Sequence, residues 1–127
     1  MFISKAIIMS SFNSNRLFTE HNAKVVVQDF LSALNAEDFD LARQQLHDDL
    51  HFKGVMGERS GADVYIEDMK KMKFKYDVKK VFADGEEVCL WYDINMGPKT
   101  IFACGWYKLR DEKIQSFQVI FDPRPIL

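Results

Sequence analysis

In the first part of the chain, apolar residues recur at helical spacing. Between Thr19 and Asn35 they form one predicted helix face, which comprises Ala23, Val26, Val27, Phe30, Leu31 and Leu34. Thr19 is a suitable N-cap for this helix, and Asp38 can cap a short second helix carrying Phe39, Leu41, Ala42 and Leu46. A third helix is predicted from about residue 62 to residue 72, after a short strand at residues 50–53.

After residue 73 the apolar period changes to two, which is the period of a half-buried strand. Asp84-Gly85, Gly97-Pro98 and Asp111-Glu112 are turn signals that divide this region. They leave four predicted strands, at residues 74–79, 88–95, 100–110 and 114–122. Helices followed by a run of antiparallel strands indicate the α+β class.

A turn centred on Gly97-Pro98 fixes which residues of its two strands lie opposite each other. One face then pairs apolar residues throughout, namely Val88 with Tyr107, Leu90 with Gly105, Tyr92 with Ala103 and Ile94 with Ile101. Because Gly105 and Ala103 are small, we expect them to leave room for a helix or a ligand. Phe117, Val119 and Phe121 share one face of the last strand, so the helices should cover this side.

The opposite face of the same strands is also rich in aromatic residues. It pairs Trp91 with Cys104, Cys89 with Trp106 and Asp93 with Phe102, with Ile120 beside them on the last strand. No predicted helix remains to cover this face, and soluble monomers rarely expose an apolar patch of this size. We therefore expect a homodimer through Trp91, Phe102, Trp106 and Ile120.

Composition narrows the function classes. The 127 residues fit one domain, and 47% apolar residues suit a packed core. A net charge of −2, without a Lys/Arg cluster, argues against a nucleic-acid partner. No stretch approaches the roughly 18 apolar residues of a membrane span, so we predict no membrane partner. The two cysteines lie outside any metal-binding motif and suit a reducing compartment, so we predict a cytoplasmic protein. Residues 1–18 are predicted to be an N-terminal extension, or an upstream start with the true start at Met9, and residues 19–127 are predicted to be the domain.

Three stretches in this order resemble the nuclear transport factor 2-like superfamily, and within it the SnoaL-like polyketide cyclase and ketosteroid isomerase branch. They are Phe30 to Asn35, Arg59-Ser60-Gly61 and Lys113 to Asp122, and the resemblance covers about residues 22–122. It implies a cystatin-like cone, in which three N-terminal helices pack on a curved antiparallel sheet around a pocket.

The resemblance also implies where isomerase residues would lie. The catalytic base, seven residues before Arg59, falls on Phe52, and the two oxyanion donors fall on Phe30 and Gly105. None of these side chains can transfer a proton, so we do not expect ketosteroid isomerase activity. A slip of one residue would place His51 or Lys53 at the base position instead.

Three ionisable residues are weak catalytic candidates. His51 could be a base if its side chain turned inward, although strand alternation places it opposite Phe52. Asp93 interrupts an apolar strand and Asp122 ends the last one, where a rim contact and a turn cap are the simpler interpretations. His47 and His51 lack the spacing of a metal site, so no metal or cofactor is expected.

A small, mostly apolar ligand is the partner that the pattern favours. The residues predicted to surround it are Phe30, Phe52, Tyr65, Leu90, Tyr92, Ala103, Gly105, Tyr107, Phe117 and Phe121. Tyrosines suit such a site, because a phenol combines one hydrogen-bonding group with a large apolar body, and Met56, Met69 and Met72 could be adaptable lining. A lyase or isomerase of the polyketide-cyclase kind and a structural homodimer with a vestigial pocket are the alternatives.

Overall fold

A computed structural model describes the backbone of residues 5–127 and the side chains of residues 20–127. Three α-helices pack on one curved six-stranded sheet, which confirms the α+β cone. The helices are α1 (Lys5–Asn35), α2 (Phe39–Gln44) and α3 (Ala62–Met72), and a 3-10 turn lies at Arg124–Ile126. The strands are β1 (Leu46–Gly54), β2 (Gly57–Ser60), β3 (Lys75–Asp84), β4 (Glu87–Asn95), β5 (Thr100–Arg110) and β6 (Lys113–Phe121).

The first helix is longer than predicted. It ends at Asn35 as expected but begins at Lys5, so the prediction that Thr19 caps it is wrong. Residues 5–19 contain neither glycine nor proline, so no local signal ends the helix there. Residues 1–4 of the predicted extension lie outside the described residues, and the role of residues 1–18 stays a prediction. The Asp38 cap is confirmed, since its carboxylate accepts a hydrogen bond from the amide of Leu41 at 3.1 Å.

The sheet has the order β2-β1-β6-β5-β4-β3. Its last four strands form the predicted meander, and β1 adds to it by pairing parallel with β6. Leu46, predicted on the second helix, instead begins β1 and pairs with Ile114. Its side chain is completely buried, so tertiary packing outweighed the helical spacing at this position.

The register across the Gly97-Pro98 turn is confirmed for every predicted pair of β4 and β5. The concave face of the sheet carries the core together with α1 and α3, and Val27, Phe30, Leu90 and Tyr92 have no exposed surface. The convex face, which we call the outer face, is not covered by any element that the structure describes. Its large apolar side chains remain 40–59% exposed, and they are Phe82, Trp91, Phe102, Trp106 and Ile120.

Two thiols lie side by side on the outer face. The Sγ atoms of Cys89 and Cys104 are 3.5 Å apart, and both residues are free cysteines. Burial, and then the hydrogen bond with Cys89, raises the pKa of Cys104 to about 11, so its thiol is protonated at neutral pH.

None of the described helices is both long enough and apolar enough to cross a membrane.

Candidate functional site

A cavity of about 510 Å³ lies between the helices and the concave face of the sheet. Its walls come from α1, α3, the β1–β2 hairpin and strands β3 to β6, and its lining is mainly apolar. An aromatic cluster forms the inner wall, in which the rings of Phe52 and Tyr65 are 5.1 Å apart and those of Tyr107 and Phe117 stack at 4.6 Å. A volume of this size falls within the range of small-molecule sites.

The polar side chains at the inner wall of the cavity are phenols. Tyr65, Tyr76, Tyr92 and Tyr107 all line it, and the hydroxyls of Tyr92 and Tyr107 are hydrogen-bonded at 2.9 Å. Burial raises the pKa of each of the four tyrosines far above its ordinary value, because a phenolate is poorly solvated there. The phenols are therefore neutral at physiological pH and can donate hydrogen bonds.

Gly105 leaves space above the sheet, but side chains of the protein itself fill that space, and not the ligand or helix that the sequence suggested. A Cβ atom at residue 105 would lie 2.4 Å from the Tyr92 hydroxyl oxygen and 2.6 Å from Cε1 of Tyr107. The volume opposite Gly105 is therefore occupied by the Tyr92–Tyr107 pair rather than left for a ligand. The glycine allows these two rings to approach the sheet, and the cavity begins above them.

Seven of the ten predicted ligand-binding residues line the cavity: Phe30, Phe52, Tyr65, Tyr92, Tyr107, Phe117 and Phe121. The other three, Leu90, Ala103 and Gly105, are outside the lining, and all three are concave-face residues of β4 and β5. They are buried, so they support the site without bordering it. The three methionines suggested as lining, Met56, Met69 and Met72, do border the cavity.

The three weak catalytic candidates lie outside the cavity lining. The His51 ring is on the outer face, where it is hydrogen-bonded to Glu58 at 2.8 Å and to Ser60 at 3.3 Å. Asp93 is also on the outer face, 3.7 Å from Lys79. These positions follow from strand alternation, which turns both side chains away from the concave face.

Asp122 has the simpler of its two predicted roles. Its carboxylate accepts hydrogen bonds from the backbone and side chain of Arg124, two residues further on, which is the role of a turn residue. These bonds lower the pKa of Asp122, which keeps it ionised. Among the side chains of residues 20–127, no group of three or more potential ligands could hold a metal ion.

Sequence reasoning missed an ion pair beside the cavity. Arg59 of β2 and Asp68 of α3 both border the cavity, and two hydrogen bonds join them, Nε to Oδ2 at 2.7 Å and Nη2 to Oδ1 at 3.1 Å. Hydrogen bonding to Asp68 raises the pKa of Arg59. The pairing of β1 with β2 brings Arg59 opposite Phe52 and hence to the concave side. The signal for this ion pair in the sequence was the Arg59-Ser60-Gly61 stretch, in which Arg59 served only as the reference position for the expected base.

Comparison with known families and structures places this arrangement among related proteins. A profile of the SnoaL-like domain matches residues 27–117. A nuclear transport factor 2-like protein of unknown function from Cytophaga hutchinsonii is 49% identical with a TM-score of 0.81, over 82% of this chain and 93% of that chain. No protein in the curated collection matches the chain.

Two more distant structures share the architecture. An LEH-like epoxide hydrolase from M. tuberculosis is 26% identical with a TM-score of 0.74, over 83% of this chain and 86% of that chain. An uncharacterised cystatin-fold protein from Novosphingobium aromaticivorans is 16% identical with a TM-score of 0.71, over 77% of this chain and 97% of that chain. The latter likeness concerns the fold alone.

Proposed function

We propose that the cavity of this chain, which belongs to the SnoaL-like family of the nuclear transport factor 2-like superfamily, binds a small, mostly apolar ligand with a hydrogen-bond acceptor. The observation that carries the proposal is the lining itself. Apolar walls enclose about 510 Å³, and the polar groups at the inner wall are neutral phenols.

The hydroxyl pair of Tyr92 and Tyr107 supports an acceptor on the ligand. One hydroxyl donates to the other, so one O–H of the pair can still donate to a carbonyl or ether oxygen. A net hydrogen bond of this kind contributes about 1 kcal/mol, or about fivefold in Kd. A carboxylate at the inner wall would lose its hydration without meeting a cation, which disfavours charged groups at this depth.

The test uses two probes of nearly equal size, 9-fluorenone and fluorene, which differ by one carbonyl. Each is titrated against protein loaded with Nile red, a neutral dye whose emission reports an apolar environment. We expect both probes to displace the dye and fluorenone to bind about fivefold more tightly. The double variant Tyr92→Phe/Tyr107→Phe should lose that preference while it still binds fluorene.

A pair of adjacent substitutions separates cavity binding from adsorption elsewhere. Val119 lines the cavity, whereas the next residue, Ile120, is exposed on the outer face of the same strand. Val119→Trp should weaken displacement by both probes, and Ile120→Trp, the matched control, should leave it unchanged. Equal effects of the two variants, or no dye binding to the folded wild type, would refute the proposal.

A second candidate function is catalysis of the lyase or isomerase kind. His51, Asp93 and Asp122 lie outside the lining, so a tyrosine is the remaining acid among the groups predicted from sequence. The structure adds two carboxylates to the lining, Asp68 and Glu58, and Glu58 is hydrogen-bonded to His51. Both oxygens of the Asp68 carboxylate already accept hydrogen bonds from Arg59, so binding is the better-supported function. If catalysis occurs, Asp68→Asn should abolish turnover while fluorenone binding persists.

We also propose that two copies associate through the outer face. Trp91 and Phe102 stack there at 5.4 Å, and Trp106 and Ile120 extend the exposed apolar surface. A two-fold contact would cover the same patch on both copies, burying on the order of 1,500 Å² in total. Light scattering at micromolar concentration should show a dimer, and Trp106→Glu should give monomers or aggregates. A monomeric wild type would refute this assembly. A wild-type dimer that binds neither the dye nor the probes would instead favour the alternative of a structural homodimer with a vestigial pocket.

We also propose that the protein is cytoplasmic. Cys89 and Cys104 are free although their sulfurs are in contact, which suits a reducing compartment.

A further inference from the structure

Arg59 borders the cavity, and its contacts with the described side chains use only part of the hydrogen-bonding capacity of its guanidinium. The Asp68 carboxylate accepts one hydrogen bond from Nε and one from Nη2, the two nitrogens on one edge of the planar guanidinium. A guanidinium carries five N–H donors, so the two donors of Nη1 and one of Nη2 remain after this pairing. Together they form a second planar fork, whose geometry matches the two oxygens of a carboxylate.

Asp68 holds this fork in place. Its side chain is 21% exposed on α3, whereas that of Arg59 is 51% exposed. The better-buried carboxylate therefore anchors the more exposed guanidinium and limits the rotamers that the arginine can adopt. A partner that binds the second fork has less side-chain entropy to overcome than it would with an unrestrained arginine.

The other acidic residue of the lining is directed elsewhere. The carboxylate of Glu58 is hydrogen-bonded to His51, whose ring lies on the outer face of the sheet. Strand alternation likewise places Glu58 on that face, since it pairs with Lys53, while its neighbour Arg59 pairs with the cavity residue Phe52. Glu58 therefore does not compete for the second fork of Arg59.

We infer that the ligand of this cavity carries a carboxylate, which the second fork of Arg59 binds at the edge of the cavity. The inference rests on the proposed function and narrows it to an amphipathic acid. The apolar body and a neutral acceptor occupy the inner cavity with Tyr92 and Tyr107, and the anionic group stays beside Arg59, where half-exposed surroundings keep it hydrated. Asp68 is a positioning residue in this arrangement.

The test compares each acid with its neutral amide. The first pair is 9-oxofluorene-2-carboxylate and 9-oxofluorene-2-carboxamide. The second is decanoate and decanamide, whose flexible chain accommodates any spacing between the inner wall and Arg59. Competition with Nile red at pH 7.5 and low ionic strength should show the carboxylate binding about fivefold more tightly than the amide in at least one pair. Raising the salt concentration to 0.5 M should reduce this preference, because the contact is partly exposed.

Arg59→Gln should bring the two affinities of that pair to equality. Arg43→Gln is the matched control, since Arg43 is likewise an arginine in ion pairs, with Asp48 and Asp63, but is outside the cavity lining. This control should keep the preference. The inference is overturned if the wild type binds both amides as tightly as their acids, or if Arg59→Gln keeps the preference. If fluorenone itself fails to bind, the proposed function fails and this inference with it, so the two failures are distinguishable.

Discussion

Replacing Gly105 by alanine tests whether the Tyr92–Tyr107 pair fills the space above the sheet. The backbone of Gly105 is not in the left-handed region, so alanine adds no backbone strain there. The added methyl group would lie 2.4 Å from the Tyr92 hydroxyl and 2.6 Å from the Tyr107 ring, where ordinary contacts begin at 3.4 Å. Both rings must therefore move by roughly 1 Å, and they can move only toward the cavity.

The expected cost follows from three contributions. Overpacking a buried site costs about 1–3 kcal/mol, and loss of the hydroxyl hydrogen bond adds about 1 kcal/mol. Against these, Gly→Ala reduces the entropy of the unfolded chain and stabilises by about 0.4–1 kcal/mol. The net loss is about 1–3.6 kcal/mol, which lowers Tm by about 4–14 °C for a chain of this size.

Urea unfolding of four proteins separates the clash from other effects of the substitution. They are the wild type, Gly105→Ala, Tyr92→Phe and the double variant. Because Tyr92→Phe removes the hydroxyl oxygen nearest the new methyl group, Gly105→Ala should cost about 1 kcal/mol less in that background. Equal costs in both backgrounds, or a Gly105→Ala variant as stable as the wild type, would refute the reasoning.

Three further predictions follow from the site and its supports. The folded-state pKa values of Tyr92 and Tyr107 are raised, so above pH 10 the unfolded chain loses phenolic protons that the folded protein keeps. The free energy of unfolding should therefore fall as the pH rises from 9 to 11, and less so in the double Phe variant; a flat profile would contradict this. A β,γ-unsaturated ketosteroid should show no turnover above background by enone absorbance, because Phe52 is not a base, and Phe52→Asp is the comparison; clear wild-type turnover would contradict it. Asp38→Ala should destabilise the protein by about 1 kcal/mol in urea unfolding through loss of the α2 cap, whereas an unchanged midpoint would show that the cap contributes nothing.

Local patterns were sufficient to predict most of the architecture. Periods of two and of about 3.6 separate the strands from the helices, and the Gly97-Pro98 turn determines the register of β4 and β5, because strand pairing counts outward from a turn. That register placed Tyr92 and Tyr107 on the concave face together. It also placed Asp93 on the opposite face, and alternation along the first strand did the same for His51, which already favoured the simpler interpretation of both residues.

Contacts between distant segments had to come from the tertiary structure. The parallel pairing of β1 with β6 joins residues more than 60 positions apart, and it converted Leu46 from a predicted helical residue into a buried strand residue. The Arg59–Asp68 ion pair depends on how α3 lies against the β1–β2 hairpin, which no periodicity encodes. A small residue such as Gly105 shows in the sequence that space is needed, but whether a ligand or two tyrosine rings occupy that space depends on the packing of side chains in three dimensions.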